Sequence, residues 1–135
     1  MRKVLASLAA LSLAATAAQA APRQTGEEKL AKALEGREAG KPVDCIYQHD
    51  IRSSRIYDRT AILYELNNGT YYLNRPDAGA QSLSWGDVLV TDTHSDRLCS
   101  IDVVKLYDTH PWMQNGFVNL GKFVPYKKVA VARSE

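Results

Sequence analysis

The chain has 135 residues, and its 17 basic and 15 acidic side chains give a net charge of +2. That length suits one domain with a single core of its own. So small an excess of charge gives no electrostatic argument for nucleic acid or an anionic membrane as partner.

Residues 1–20 have the pattern of a secretory signal peptide. Met1-Arg2-Lys3 is a positive start, residues 4–13 form an apolar run, and Ala18-Gln19-Ala20 is a small-x-small cleavage site. Cleavage is expected between Ala20 and Ala21. Arg2 and Lys3 would leave with the signal, so residues 21–135 carry equal numbers of basic and acidic side chains. The apolar run is short and rich in Ala, Ser and Thr, whereas a stable span needs about 20 strongly apolar residues. An uncleaved anchor is the alternative; a lipidated form is disfavoured because no Cys follows the cut. The expectation is a periplasmic or secreted protein with no transmembrane segment in the mature chain.

Residues 21–42 read as a short helix and a linker. Thr25 and Glu28 match a capping box, and Glu27 and Glu28 suit the positive end of a helix dipole. Leu30, Ala33 and Leu34 form a narrow apolar stripe, compatible with docking on the domain or with fraying. Gly36 or Gly40 can end the helix, and Pro42 cannot continue it.

Beyond Pro42 the period changes to that of strands. Val43-Asp44-Cys45-Ile46-Tyr47 and Arg55-Ile56-Tyr57 are the first two expected strands. Residues 60–66 and 70–74 flank Asn67-Asn68-Gly69, and the Asn68-Gly69 pair favours a two-residue hairpin turn. In that register Leu66 faces Tyr71 and Tyr64 faces Leu73. Ile62, Tyr64, Leu66, Tyr71 and Leu73 would then share one apolar face. Residues 74–86 read as a loop. Strands follow at 87–91 and 101–107, the second apolar on both faces and therefore central. Residues 109–116 read as a loop broken by Pro111 and Gly116, and 117–126 as a last strand region bent at Gly121. The expected fold is all-β, a small barrel or curved packed sheet of about six to seven short strands with a short N-terminal helix. The layout is signal peptide 1–20, helix and linker 21–42, one β domain 43–130 and a tail 131–135.

Cys45 and Cys99 both lie beyond the signal. In an oxidising compartment two cysteines most simply form one disulfide. Closing so long a loop would constrain the unfolded chain by roughly 4 kcal/mol in the chain-entropy model. A buried thiol pair and a redox-active pair are the alternatives. The second lacks the close Cys-x-x-Cys arrangement that tunes a thiolate.

Few residues form a pattern that carries chemistry. His49 adjoins Asp50, and His94 lies between Asp92 and Asp96, but no two histidines share a ligand spacing, and both clusters fall in turns. His110 stands alone. None of Ser53, Ser54, Ser82, Ser84, Ser95 and Ser100 lies in a Gly-x-Ser-x-Gly elbow. Asp87, Asp92, Asp96 and Asp102 read as solvated turn or strand-end residues. No catalytic, cofactor or metal residue is therefore assigned, and no cofactor is expected. Arg52, Arg55 and Arg59 with Tyr47 and Tyr57 could form a basic aromatic surface, against the simpler reading of outward strand residues packed on tyrosine. Trp85 and Trp112 sit in expected loops, either closing the end of a barrel or exposed as binding anchors.

Three segments carry a resemblance. Gly36-Arg37-Glu38-Ala39-Gly40-Lys41-Pro42-Val43-Asp44-Cys45-Ile46, Leu98-Cys99-Ser100-Ile101-Asp102 and Leu120-Gly121-Lys122-Phe123-Val124-Pro125-Tyr126 resemble a family of small exported proteins of sphingomonads and related proteobacteria. The family implies no activity. Its broader group carries two further cysteines where this chain has Ala80 and Val118, which by analogy leaves Cys45 to pair with Cys99. The functional expectation is a non-enzymatic envelope binding or interaction module, its partner unknown, with an envelope protein as the candidate class. A periplasmic inhibitor of a cell-wall hydrolase is the alternative, by analogy of fold, and a small hydrolase-type enzyme the second.

Overall fold

A computed structural model describes residues 21–130 of the chain. The expected signal segment, including the Ala20 side of the cleavage site, and the tail from 131 lie outside the described residues. Within them are one α-helix, α1 (Gly26–Ala33), and ten strands: β1 (Arg37–Ala39), β2 (Cys45–Tyr47), β3 (Ile51–Tyr57), β4 (Ala61–Leu66), β5 (Tyr71–Asn74), β6 (Val88–Thr91), β7 (Arg97–Cys99), β8 (Val103–Thr109), β9 (Trp112–Asn119) and β10 (Phe123–Lys128). They form three antiparallel sheets, in the orders β1-β10-β5-β4-β3, β2-β7 and β6-β8-β9. The all-β expectation holds. The sheets pack on one another without closing into a barrel, and the strands outnumber the six or seven expected.

The main core lies between the sheets. Ile56, Ile62, Tyr64 and Phe123 from the five-stranded sheet meet Val104, Leu106 and Val118 from the three-stranded one, while Ile46 and Leu98 plug one end from β2 and β7. The other face of the five-stranded sheet is also covered. Leu30 of α1 is 1% exposed and packs with Tyr57, Ala61, Leu63 and Leu73. Of the two fates open to the helical stripe, docking is the one observed. The capping box at Thr25 and Glu28 starts the helix as expected. Gly26 rests against the β3–β4 turn, where a Cβ would collide with the Asp58 carbonyl and the Thr60 hydroxyl.

The hairpin forms where expected, but its register is shifted by one residue. Glu65 faces Tyr71, Tyr64 faces Tyr72 and Leu63 faces Leu73. The loop has three residues, Asn67-Asn68-Gly69: the Gly69 N–H donates to the Leu66 carbonyl at 2.9 Å, and the Leu66 N–H to the Thr70 carbonyl at 2.9 Å. Gly69 adopts φ +82°, the left-handed conformation that closes such a loop. Asn68 Oδ1 accepts from the Thr70 N–H at 3.0 Å, which favours this turn over the two-residue one. The shift turns Tyr71 and Leu73 away from Ile62 and Tyr64 and places them under α1. Two buried faces, rather than one apolar and one mixed, account for the pattern.

Other boundaries also move. Arg37–Ala39, read as linker, is an edge strand on β10, with Arg37 seated over the Tyr71 ring at 3.5 Å. Residues 109–116 are the end of a long β8–β9 hairpin, in which only His110-Pro111 turns. β8 is central in its sheet as expected, but buried on one face only: Val104 and Leu106 point inward, Val103 and Lys105 outward. Residues 117–126 divide into β9 and β10, which belong to different sheets. The crossing at Gly121 is clamped by the fully buried Asn74. Its Nδ2 donates to the Gly121 carbonyl at 2.7 Å, and its Oδ1 accepts from the Gly121 N–H at 3.0 Å.

Cys45 and Cys99 are disulfide-bonded and directly opposite one another in the β2–β7 pair. The neighbouring Gln48 N–H donates to the Asp96 carbonyl at 2.9 Å, and the Gln48 side chain reaches Thr93, Ser95 and Arg97. Bridge and polar network together fasten the start of the β domain to residues 93–99.

Candidate functional site

At one end of the packed sheets three segments meet: the β3–β4 turn, the stretch 82–87 before β6, and the β8–β9 tip. The Arg59 N–H donates to the Leu83 carbonyl at 3.0 Å, and the Trp85 N–H to Asp58 Oδ1. Asn115 Nδ2 donates to Asp87 Oδ2 at 3.3 Å. Arg59 has φ +53°, rare for a residue with a side chain and a form of local strain that clusters at functional sites. The β3–β4 turn is thus fixed to residues 83–85, and Asp87 to Asn115 of β9, while the β8–β9 tip runs on beyond them at the same end.

This end displays large apolar side chains. Trp85 is 76% exposed, and Trp112 and Met113 are 62% and 61% exposed. Neither tryptophan closes the end of a barrel. Trp112 stacks on Tyr107, with ring centroids 5.1 Å apart, so its position is set although its face is open. A rigid, exposed aromatic ring loses little conformational entropy on contact and buries much area, the property of an interface anchor. The outer face of the three-stranded sheet continues the apolar surface through Val88, Phe117 and Val103. On this face Lys105, opposite Phe117, adds a cation among the apolar side chains.

The histidines do not converge. His49 is in a 3-10 turn after β2, 3.5 Å from Asp50 and exposed. His94 lies in the loop before β7, and His110 at the β8–β9 tip contacts Thr109. Among the described residues, no group of three or more His, Cys, Asp or Glu side chains is placed to hold a metal ion. Ser53 donates to Glu65 and Ser95 to the Arg97 carbonyl, neither to a histidine. The basic aromatic surface, the alternative to ordinary outward strand residues, is not assembled. Arg52, Arg55 and Arg59 are exposed, but Tyr57 is buried under α1, and Tyr47 pairs with Arg97.

Perturbed titrating groups lie mostly away from this end. Burial raises the Tyr64 hydroxyl above its ordinary range. The Arg75 guanidinium, 2.6 Å from Glu27, lowers the Glu27 carboxyl and is itself raised by it. Both side chains are exposed, so this tie between α1 and residue 75 is a weak one. Arg55, raised by the neighbouring Tyr57 hydroxyl, stays cationic beside Trp85.

Sequence reasoning named both tryptophans but favoured a barrel plug over an anchor, and the open, barrel-free arrangement with both rings exposed corrects it. The signal it lacked was the hairpin. Trp112 opens β9 opposite Thr109 and stacks on Tyr107 in the exposed hairpin, an arrangement that the loop reading of residues 109–116 hid. No helix of the described residues is long and apolar enough to cross a membrane. No protein-family model, curated protein or solved structure matches the chain.

Proposed function

We propose that this is an exported, non-enzymatic binding or interaction module of the bacterial envelope, acting through the end that carries Trp85 and Trp112. The observation that carries the reading is the pair of tryptophans held in place yet open to solvent, one by a backbone bond to Asp58 and the other by stacking on Tyr107. The signal-like residues 1–20, the disulfide and the resemblance to small exported proteobacterial proteins support the compartment. Intact-mass measurement on the natively produced protein is expected to give a chain beginning at Ala21; a periplasmic pool retaining Met1 would contradict export by cleavage.

Affinity capture from periplasmic extract, with mass spectrometry of what binds, tests the function. A specific partner retained by the native protein and lost with Trp85→Ala plus Trp112→Ala is the expected result. A partner indifferent to both substitutions would overturn the assignment of this end.

A second reading is inhibition of a cell-wall hydrolase. It is favoured by the β8–β9 tip, where the strand pairing runs on to Thr109 and Trp112 beyond the last β6 pair at Tyr107. Trp112 and Met113 sit beside that tip as exposed anchors. Capture of a muramidase or amidase, with loss of its activity on added protein, would select this reading.

A further inference from the structure

Each of the two larger sheets ends in a strand with a single neighbour: β3 pairs only with β4, and β6 only with β8. An edge strand leaves alternate backbone N–H and C=O groups without a sheet partner. Among the described residues no backbone hydrogen bond joins β3 to β6. The two edges face one another across a groove of about 420 Å³, lined by Ser54, Arg55 and Ile56 on one side and by residues 85–89 on the other. Its floor is core: Ile56 is 7% exposed, and Leu89 packs against the same cluster. An apolar floor between two rows of unpaired backbone groups suits an extended chain, which presents donors and acceptors along its length and side chains alternately down and out.

The charge around the groove narrows the kind of chain. Towards α1 it continues into a hollow of about 320 Å³ that shares Arg55, Ile56 and Trp85 and adds Lys29, Tyr57 and Asp58. Asp58 already accepts from the Trp85 N–H, and Asp87 on the opposite lip accepts from Asn115. Glu65, on the same sheet face as Arg55, is engaged by Arg52 and Ser53. Lys29 and Arg55 belong to no ion pair among the described residues. Two cations beside an exposed indole complement a carboxylate carried next to an apolar side chain.

We propose that the groove between β3 and β6 is a docking site for an extended acidic peptide segment, whose backbone pairs with the β3 edge and whose carboxylate meets Arg55 and Lys29. The proposal rests on the interaction-module reading and adds the surface and the chemical class of the partner.

The test uses the native protein, with its disulfide formed, and three capped synthetic peptides. One alternates Val and Glu, the second is the same peptide N-methylated at alternate residues, and the third replaces Glu by Lys. Binding is followed by tryptophan fluorescence and by amide hydrogen exchange. The Glu peptide is expected to bind and to slow exchange in β3, while N-methylation, the Lys replacement and Arg55→Gln each weaken it about tenfold or more. Arg55 is exposed, so its substitution is expected to leave circular dichroism native. No binding of the Glu peptide at about 1 mM, equal binding of the N-methylated peptide, or indifference to Arg55→Gln would each overturn the proposal. If the peptide fails while a partner captured through Trp85 and Trp112 still binds, the groove assignment falls and the interaction-module reading stands.

Discussion

Tyr64 and Asn74 put polar groups into the same core with opposite outcomes. Asn74 is fully buried and closes two hydrogen bonds on the backbone of Gly121, at the point where the chain leaves one sheet for the other. Asn74→Ala would leave a buried carbonyl and N–H without partners, so a loss of about 2–4 kcal/mol is expected in urea unfolding. Tyr64 is 3% exposed, and its hydroxyl finds no partner among the described residues. Burial removed that hydroxyl from bulk water, and no described residue bonds it in exchange. Tyr64→Phe keeps the ring against Phe123 and removes the orphan, so a gain of about 1 kcal/mol is expected from the same measurement. A clear loss on Tyr64→Phe would mean that the hydroxyl is bonded after all. Neither role was legible in the sequence, where both residues read only as members of alternating strands.

At the scale of elements, local chemistry was legible and pairing partners were not. The capping box of α1 and the turn at Gly69 are set by neighbouring residues, and both form. The hairpin register failed because the Asn68 side chain bonds forward to the Thr70 N–H and stabilises a three-residue loop, a competition that the Asn-Gly signal alone does not resolve. β1 and β7 are three residues long, and their strand character comes from β10 and β2 rather than from their own pattern. A two-stranded pair as short as β2–β7 is marginal by itself. The Cys45–Cys99 bridge joins its opposed residues and closes the long loop between them. Cys45→Ala is therefore expected to cost about 2–4 kcal/mol in the oxidised protein and much less when the parent is compared under reducing conditions. Equal stability of parent and variant under oxidising conditions would contradict that role.

For the whole molecule, the all-β class and the disulfide could be read from the chain, because strand period and cysteine count survive without knowledge of topology. The open arrangement could not. It depends on β9 and β10 being separate strands, divided at Gly121, so that the chain switches sheets and leaves β3 and β6 as unpaired edges. The same long-range placement puts Trp85 and Trp112 at one end, facing water rather than plugging a barrel. The central claim is that this end is a binding surface. Its most direct measurement is the dissociation constant of the captured periplasmic partner for the native protein, for Trp85→Ala plus Trp112→Ala, and for a variant lacking His49 and His94, the two histidines away from this end. The account predicts that the tryptophan variant binds at least about a hundredfold more weakly, as loss of two interface anchors implies, with circular dichroism unchanged and the histidine variant equal to the native protein. Native affinity in the tryptophan variant, or its loss in the histidine variant with the fold intact, would contradict the account.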